Sequence, residues 1–274
     1  MLDFFFKIIL KKSLLIWFKD FIEEESYKVM KIFNKNINFF IPNKLCEWRV
    51  SNLFNSEPET LEWISKFGKV EKIIFWDIGA NIGLYSIYAG IKHSNIKVIS
   101  FEPSTSNLRI LSRNISINKL NKKIKITPFA LCELDNQFLT MKENQFIEGG
   151  ALNTFNKNFD FAGKKKKFNH EYDTYGTSIN YLLEKKILEI PNYIKIDVDG
   201  TEHLILKGSE KFLKNKKIKS ILIEINENFK EQFQTVLEIM KKNNFIMQEK
   251  KQSEKIDLEK KFKKTYNYIF TRLD

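Results

Sequence analysis

Cysteine, glycine and proline are scarce in this chain of 274 residues, and the shortages exclude several kinds of protein. The two cysteines, Cys46 and Cys132, lie far apart, without the paired spacing of a disulfide framework or a zinc site. Such a chain suits a reducing cytosol, so we predict a cytoplasmic protein. No linker rich in proline, glycine or serine and no internal repeat divides the sequence, and its length suits one large domain with an extension.

Arginine is also rare, although the chain is strongly basic. Lysine and arginine total 46 against 34 aspartates and glutamates, which gives a formal net charge of +12 and raises the question of a nucleic-acid partner. The only arginines, however, are Arg49, Arg109, Arg113 and Arg272. Phosphate and base recognition favour the bidentate guanidinium group over the lysine ammonium. We therefore expect no nucleic-acid partner.

A hydrophobic run long enough to cross a membrane is missing too. The N-terminal stretch MLDFFFKIILKKSLLIWFKDFI is apolar, but Lys7, Lys11, Lys12 and Lys19 interrupt it, and about 20 consecutive apolar residues are needed. It also lacks the charge placement and the small terminal residues of a signal peptide. Two alternatives stay open. The stretch is an amphipathic helix packed on the domain or on the partner of a homodimer, or it attaches peripherally to a membrane through Phe4–Phe6 and the lysines.

From about residue 72, short apolar runs alternate with amphipathic stretches. The apolar runs are 73–76, 98–101, 124–129, 193–197, 220–225, 245–249 and 265–271, and the helical stretches are 83–92, 104–118, 178–188, 201–214 and 229–243. This alternation predicts βαβ units and a parallel sheet covered by helices on both faces. The last two runs have no helix between them, which predicts an antiparallel pair at the sheet edge.

The fold class that we predict is α/β, with a Rossmann-like, doubly wound sheet of seven mostly parallel strands and an antiparallel edge pair. Residues 1–70 are predicted to form a helical N-terminal extension, and residues 71–274 the main domain. The region from about 135 to 177 breaks the alternation. It predicts an insertion of two short strands around a mobile loop, close to the ends of the strands where ligands bind.

The stretch DIGANIG, which begins at Asp77, lies where the first strand of this sheet turns into its first helix. Gly79 permits a sharp turn, and Gly83 lets the helix pack closely on the sheet, so the N–H groups of the helix start point at a ligand. A dinucleotide loop has three glycines, but Asn81 and Leu84 occupy two of those positions, which disfavours a pyrophosphate. Asp77 would instead attract a cation, such as the amino group of an amino acid.

The second strand ends in FEP, which places Glu102 at its carboxyl tip, 25 residues after Asp77. A carboxylate there can accept hydrogen bonds from both hydroxyls of a ribose. A nucleoside joined to an amino acid therefore suits these two positions better than a nucleoside joined to phosphates. Either residue alone could be a solvated strand end, but Asp77, Gly79, Gly83 and Glu102 together favour a binding site.

These residues resemble the class I S-adenosylmethionine-dependent methyltransferases, and longer motifs resemble the FkbM-type methyltransferases. The stretches that carry the narrower resemblance are WDIGANIGLYS (76–86), VISFEPSTSNLRILSRNISIN (98–118), ITPFALCELD (126–135) and IKIDVDGTEHLILKG (194–208), with weaker support from SILIEIN (220–226). The family often has glutamate where this chain has Asp199, so the carboxylate is kept. The resemblance covers roughly residues 50–270 and does not extend to residues 1–50.

The resemblance implies an S-adenosylmethionine-dependent O-methyltransferase that acts on a hydroxyl of a sugar or of another small-molecule or glycan acceptor. It also implies roles for individual residues. Asp77, Gly79, Asn81 and Gly83 would line the methionine end of the cofactor, Glu102 would bind the ribose, and Phe129 and Ala130 would flank the adenine. The alternatives are an RNA methyltransferase that uses the basic surface and a non-catalytic protein of the same fold.

Candidate catalytic residues lie in IKIDVDGTEH and on the following strand. An alkyl hydroxyl is a poor nucleophile while it is protonated, so a base or a metal should assist it. The catalytic candidates are Asp197, Glu202, His203 and Glu224. Asp197, Asp199 and Glu224 could instead hold a divalent metal through oxygen ligands, which leaves a metal cofactor open. Asp199 and Glu202 could equally serve only the helix that follows, as capping and first-turn residues.

Residues 144–160 are the predicted lid over the acceptor. Gly149 and Gly150 permit movement of the backbone there. The loop mixes polar side chains, such as Glu148 and Asn153, with aromatic ones, as suits a sugar.

Overall fold

A computed structural model describes residues 1–11, 13–68, 70–252 and 262–273. The N-terminal region contains α1 (Leu2–Leu10), α2 (Leu14–Glu25), β1 (Tyr27–Ile32), β2 (Lys35–Phe40), α3 (Lys44–Ser51), α4 (Leu53–Ser56) and α5 (Pro58–Ser65). The next elements are β3 (Ile73–Ile78), α6 (Leu84–Lys92), β4 (Ile96–Phe101), α7 (Thr105–Ile117), β5 (Ile124–Thr127), β6 (Ala130–Leu131), β7 (Gln137–Glu143), β8 (Thr154–Phe155) and β9 (His170–Thr177). The last are α8 (Ile179–Glu184), β10 (Tyr193–Ile196), α9 (Glu202–Lys207), α10 (Glu210–Leu213), β11 (Ser220–Asn226), α11 (Lys230–Lys242), β12 (Phe245–Lys251) and β13 (Thr265–Arg272).

Residues 27–40 form a β-hairpin, so the prediction of a helical N-terminal extension was wrong for this segment. β1 and β2 pair antiparallel in a register that sets Ile32 opposite Lys35. The turn residues Phe33 and Asn34 have φ angles of 47° and 62°, the left-handed pair that suits a two-residue hairpin turn. Polar and apolar residues alternate along most of both segments, and this period of two, typical of strands, was overlooked.

The large sheet has the strand order β12–β13–β11–β10–β3–β4–β5 in the part of the chain that the structure describes. Strands β11, β10, β3, β4 and β5 run parallel, whereas β13 pairs antiparallel with both β11 and β12. The predicted seven-stranded sheet and its antiparallel edge pair are therefore confirmed. The strand order reverses between β3 and β10, and sheets of this kind bind ligands at that point, beyond the carboxyl ends of the strands.

The insertion between β5 and α8 contains more strand than the sequence indicated. It forms a second sheet with the order β6–β9–β7–β8, in which β7 and β9 pair from Gln137–Gly176 to Glu143–His170. The prediction of only two short strands around a loop was therefore wrong. The residues between β7 and β8 form a loop beside the carboxyl ends of the large sheet.

Both faces of β3 are covered, which explains its unbroken apolar sequence. Phe75 belongs to a core layer that includes Phe40 and Trp63 of the N-terminal region, and the ring centroids of Trp63 and Phe75 lie 5.9 Å apart. Trp76 belongs to the opposite layer, together with Val236 of α11. The β1–β2 hairpin and α5 thus share a core with the central sheet. The domain boundary at residue 70 stays a prediction.

Candidate active site

A cavity opens at the carboxyl ends of β3, β4 and β10, where the strand order reverses. Its wall includes five of the residues predicted to bind a cofactor, which are Gly79, Asn81, Glu102, Phe129 and Ala130. Asp197 and Asp199, which follow β10, form another part of the wall. Residues between Gly150 and Phe155 of the insertion complete it. The sheet topology therefore brings together segments that are far apart in sequence.

The turn after β3 depends on Gly79. Its φ angle is 86°, and a Cβ atom there would lie 1.8 Å from the carbonyl oxygen of Asp197. Since that oxygen belongs to backbone, no side chain can be accommodated. The N–H groups of Gly79 and Ala80 both donate to the Phe101 carbonyl oxygen, at 3.0 and 2.9 Å, and so join the ends of β3 and β4. Gly83, with a φ angle of 90°, precedes α6 and lies outside the cavity wall.

Glu102 follows the last residue of β4, as predicted, and is only 5% exposed. Its carboxylate accepts hydrogen bonds from the N–H groups of Asn81, at 2.7 Å, and of Ser104, at 2.9 Å. Burial raises the pKa of Glu102 to about 7, and these hydrogen bonds oppose that rise. Each carboxylate oxygen can accept more than one hydrogen bond, so Glu102 retains acceptor capacity for a ligand.

Asp77 is buried beneath the turn and does not line the cavity, although it was predicted to lie beside the methionine end of a cofactor. Its Oδ2 accepts a hydrogen bond from Ser86 Oγ at 2.5 Å, whereas Oδ1 has no partner among the described residues. Its register partner on β10 is Lys195, which is 1% exposed. Burial raises the pKa of Asp77, and the charge of Lys195 opposes that effect. The cation that Asp77 attracts is therefore a residue of the chain itself.

Lys195 also fixes a carboxylate of the cavity wall. Its Nζ donates to Asp197 Oδ2 at 2.5 Å and lies 4.8 Å from the centroid of the Tyr85 ring. Burial alone would lower the pKa of Lys195, but Asp197, Glu57 and Asp77 together raise it, so the ammonium stays charged. The side chain of Asp197 remains 23% exposed. A buried cation thus orients a carboxylate that still has access to the cavity.

The turn between β10 and α9 is fixed by two acidic side chains. Glu202 is 1% exposed, and its Oε1 accepts hydrogen bonds from the N–H groups of Val198, at 3.0 Å, and Gly200, at 3.1 Å. Asp199 adopts a left-handed φ of 63° and accepts a hydrogen bond from the Leu152 N–H at 2.6 Å. Burial and the neighbouring carboxylate of Asp197 raise the pKa of Asp199 to about 6. Glu202 therefore supports the turn from outside the cavity, while Asp199 joins the turn to the insertion.

The predicted lid is tied to the turn after β3 as well. The carbonyl oxygen of Gly150 accepts hydrogen bonds from Nδ2 of Asn81, at 2.7 Å, and of Asn107, at 3.1 Å. The Gly149 N–H donates to Asn107 Oδ1 at 2.9 Å. Together with the bond from Leu152 to Asp199, these contacts hold the loop against both sides of the cavity.

A family model described as the methyltransferase FkbM domain matches residues 77–247, which is more than half of the chain. The chain belongs to this family. It therefore carries an S-adenosylmethionine-dependent methyltransferase domain, and the family resemblance predicted from the motifs is confirmed.

Individual relatives of this FkbM protein are distant. Methyltransferase sdnD of Sordaria araneosa is 27% identical over 154 residues. The match covers 48% of this chain and only 58% of the length of that curated relative. The solved structure of Methyltransferase FkbM from Methylobacillus flagellatus KT has a TM-score of 0.47 at 14% identity, covering 83% of this chain and 52% of that chain. A putative rRNA-methylase from Clostridium thermocellum has a TM-score of 0.48 at 10% identity, covering 80% of this chain and 97% of that chain. These similarities leave the acceptor open.

The residues that line the cavity of the FkbM domain have the chemistry that S-adenosylmethionine requires. Glu102 lines the cavity at the end of β4, and its predicted role in binding the ribose hydroxyls stays a prediction. Phe129, Ala130 and Leu131 supply an apolar wall that suits an adenine ring. The bare backbone of Gly79 leaves room for close approach of the methionine part.

His203 and Glu224 are not brought to the cavity wall, although both were catalytic candidates. His203 is 1% exposed and packs against the Phe229 ring at a centroid distance of 5.4 Å. Burial lowers the pKa of His203 to about 4, so the imidazole is neutral near pH 7. Glu224 lies on β11, where burial, followed by the charge of Asp197, raises its pKa well above the ordinary value. Their predicted catalytic roles stay predictions, and their positions do not favour them.

The carboxylates considered as metal ligands do not form a metal site. Across the residues that the structure describes, no group of three His, Cys, Asp or Glu side chains is arranged to hold an ion. Asp197, Asp199 and Glu224 are therefore not combined in the way that this alternative required. The positive charge beside Asp197 belongs to Lys195.

Sequence reasoning missed Lys195 because a lone charge in an apolar strand was passed over. The signal was its position two residues before Asp197, since residues two apart on a strand lie on the same face.

Proposed function

We propose that this FkbM protein transfers the methyl group of S-adenosylmethionine to a hydroxyl oxygen of a sugar or of another glycan or small-molecule acceptor. The observation that carries the proposal is the Asp197 carboxylate, which lines the cavity while Lys195 holds it at 2.5 Å. Asn153, Thr201 and the ring of Phe155 line the same cavity. A few polar groups among apolar and aromatic ones are typical of small-molecule sites, and this combination suits a sugar.

The proposed reaction needs alignment and removal of a proton. Bound S-adenosylmethionine supplies an electrophilic methyl group and a neutral thioether as leaving group. Asp197 accepts the proton that the acceptor hydroxyl loses as the new C–O bond forms and the C–S bond breaks, and the proton then passes to solvent. Lys195 acts through Asp197, as a positioning residue that keeps the carboxylate oriented.

A screen of sugar and glycan acceptors with methyl-labelled S-adenosylmethionine tests the proposal. We expect a labelled product whose added methyl group mass spectrometry places on oxygen. Asp197→Asn should lose turnover while calorimetry still detects cofactor binding, because the residue contacts the acceptor. His203→Gln, outside the cavity wall, is the control that should retain both.

Two results would contradict the proposal. Methylation of RNA oligomers, with no hydroxylated small molecule or glycan accepted, would assign the protein to a different substrate class. Loss of cofactor binding in Asp197→Asn would show that this carboxylate serves the cofactor and not the acceptor.

A further inference from the structure

The first two helices carry an unusual share of the exposed apolar surface. Thirteen of the 23 exposed large apolar side chains among the described residues lie in residues 1–22. No residue of α1 is buried, and Phe4 and Phe5 are 70% and 61% exposed. On α2, Leu15 and Phe21 are 78% and 54% exposed. Such a concentration of exposed apolar side chains is typical of an interaction site.

The two helices contact each other, and together they are called the N-terminal helix pair. Asp3 Oδ1 accepts a hydrogen bond from the Leu14 N–H at 3.0 Å, which links the start of α1 to the start of α2. The rings of Phe6 and Trp17 lie 6.4 Å apart between their centroids. These contacts hold the two apolar helices next to each other.

The length and the charge distribution of the N-terminal helix pair indicate which kind of surface covers it. None of the described helices is long and apolar enough to cross a membrane. At 1.5 Å per residue, α1 and α2 are only about 14 and 18 Å long, against a hydrocarbon core of about 30 Å. Residues 1–19 contain four lysines, at 7, 11, 12 and 19, against one acidic residue, Asp3, which pairs with Lys7 at 3.0 Å. The other acidic residues of the two helices, Asp20 and Glu23–Glu25, are confined to the second half of α2, where Glu23 pairs with Arg113 and Arg109. Apolar side chains with interspersed lysines complement the surface of an anionic bilayer.

The N-terminal helix pair is also connected to the lid of the cavity. Glu23, near the end of α2, accepts hydrogen bonds from Arg113 at 2.7 Å and from Arg109 at 3.1 Å. A second nitrogen of Arg109 donates to Glu148 of the lid at 3.2 Å. These ion pairs are partly exposed and contribute little stability. They nevertheless place the end of α2 beside the loop that borders the cavity.

We propose that α1 and α2 dock this protein on anionic lipid membranes and hold the cavity close to an acceptor carried at the membrane surface. The docking is inferred from the N-terminal helix pair alone. The inference that the acceptor is a lipid-borne glycan rests on the proposed function. Docking through short helices that lie in the plane of the interface needs no spanning segment.

Sedimentation with vesicles tests the docking directly. The full chain should sediment with vesicles of phosphatidylcholine and phosphatidylglycerol, and much less with phosphatidylcholine alone. Phe5→Glu/Ile9→Glu should weaken that binding by about tenfold or more, because each change removes an apolar contact and adds a repelled charge. The matched control is Phe138→Glu/Ile187→Glu, at sites that are 76% and 51% exposed elsewhere in the chain. It should bind vesicles as the parent does.

Cofactor binding, measured by calorimetry, should be unchanged in both double variants, which shows that they are folded. Failure of the parent to sediment, or equal loss in the control, would overturn the docking. A third result would also overturn the docking. The parent would form a stable dimer that does not bind vesicles, and Phe5→Glu/Ile9→Glu would convert that dimer to monomer, because a second copy would then cover the N-terminal helix pair.

The acceptor part has its own readout. One glycan is offered in free form and attached to a lipid in anionic vesicles. Phe5→Glu/Ile9→Glu should lose turnover only with the vesicle-borne form. Equal loss with both forms would overturn the link between docking and acceptor. If the parent methylates neither form, the proposed function fails for that glycan, while the sedimentation result still decides the docking.

Discussion

Affinity for S-adenosylhomocysteine should rise about tenfold between pH 6 and pH 8 if Glu102, as predicted, binds the ribose hydroxyls in its ionised form. In the empty cavity burial raises the pKa of Glu102 from 4.5 to about 7. A displacement of that size corresponds to about 3 kcal/mol against the charged form. At pH 6 roughly a tenth of the molecules carry the charged form, and at pH 8 nearly all do.

The same displacement fixes the sign of the stability change in the cofactor-free protein. Because the pKa of Glu102 is higher in the folded state than in the unfolded state, the folded state holds more protons between pH 4.5 and about 7. The contribution of Glu102 to stability is therefore full below pH 4.5 and is lost as the pH rises through about 7. The cofactor should reverse this trend, since it binds the ionised form more tightly.

Isothermal titration calorimetry with S-adenosylhomocysteine, in buffers of different ionisation enthalpy, measures both the affinity and the protons released. Glu102→Gln should bind more weakly and show little dependence on pH. A flat profile in the parent protein would refute the reasoning. If Glu102→Gln kept the parent's slope, the titrating group would be another carboxyl of the wall, with Asp199 the first candidate, since its pKa is about 6.

Two further substitutions test the frame of the cavity. Lys195→Met should destabilise the protein by about 3–5 kcal/mol, because it leaves Asp197 and Asp77 without their buried cation. Thermal scanning should then show a fall in Tm of about 10 °C, and an unchanged Tm would contradict the assigned role. Gly79→Ala should abolish cofactor binding in calorimetry, because its Cβ would meet Asp197 backbone at 1.8 Å. Gly83→Ala should be milder, since its Cβ meets only the end of a Leu side chain, at 2.6 Å, and equal effects would count against this distinction.

The central sheet could be predicted because its strands are buried on both faces. Runs such as 73–76 and 220–225 are apolar without interruption, and helical periods separate most of them. The hairpin at Tyr27–Phe40 escaped prediction because its turn uses Phe33 and Asn34 in place of the glycine that usually marks such a turn. The positions of Gly79 and Glu102 followed from local motifs, since each lies in a turn directly after its strand.

The position of Lys195 beside Asp77 could not be predicted in the same way. It depends on β3 and β10 being neighbours in the sheet, although 118 residues separate the two side chains in sequence. The local sequence predicted that Asp77 would attract the amino group of a ligand. In the fold, the positive charge that acts on Asp77 is Lys195 of the neighbouring strand. The location of His203 likewise depends on how α9 packs, and its place beside the turn in sequence did not bring it to the cavity.

The cavity and the chain as a whole have opposite electrostatic character. The chain has a net charge of +12, yet Glu102, Asp197 and Asp199 line the cavity, and the ammonium of Lys195 is buried against Asp197. A phosphate backbone brought to this wall would meet charge of its own sign in a partly buried site, where salt screens repulsion poorly. A neutral hydroxylated acceptor can instead donate hydrogen bonds to the same carboxylates. No lysine of the described ranges belongs to this cavity wall, so we continue to expect that the lysine excess of the chain does not serve a nucleic-acid substrate.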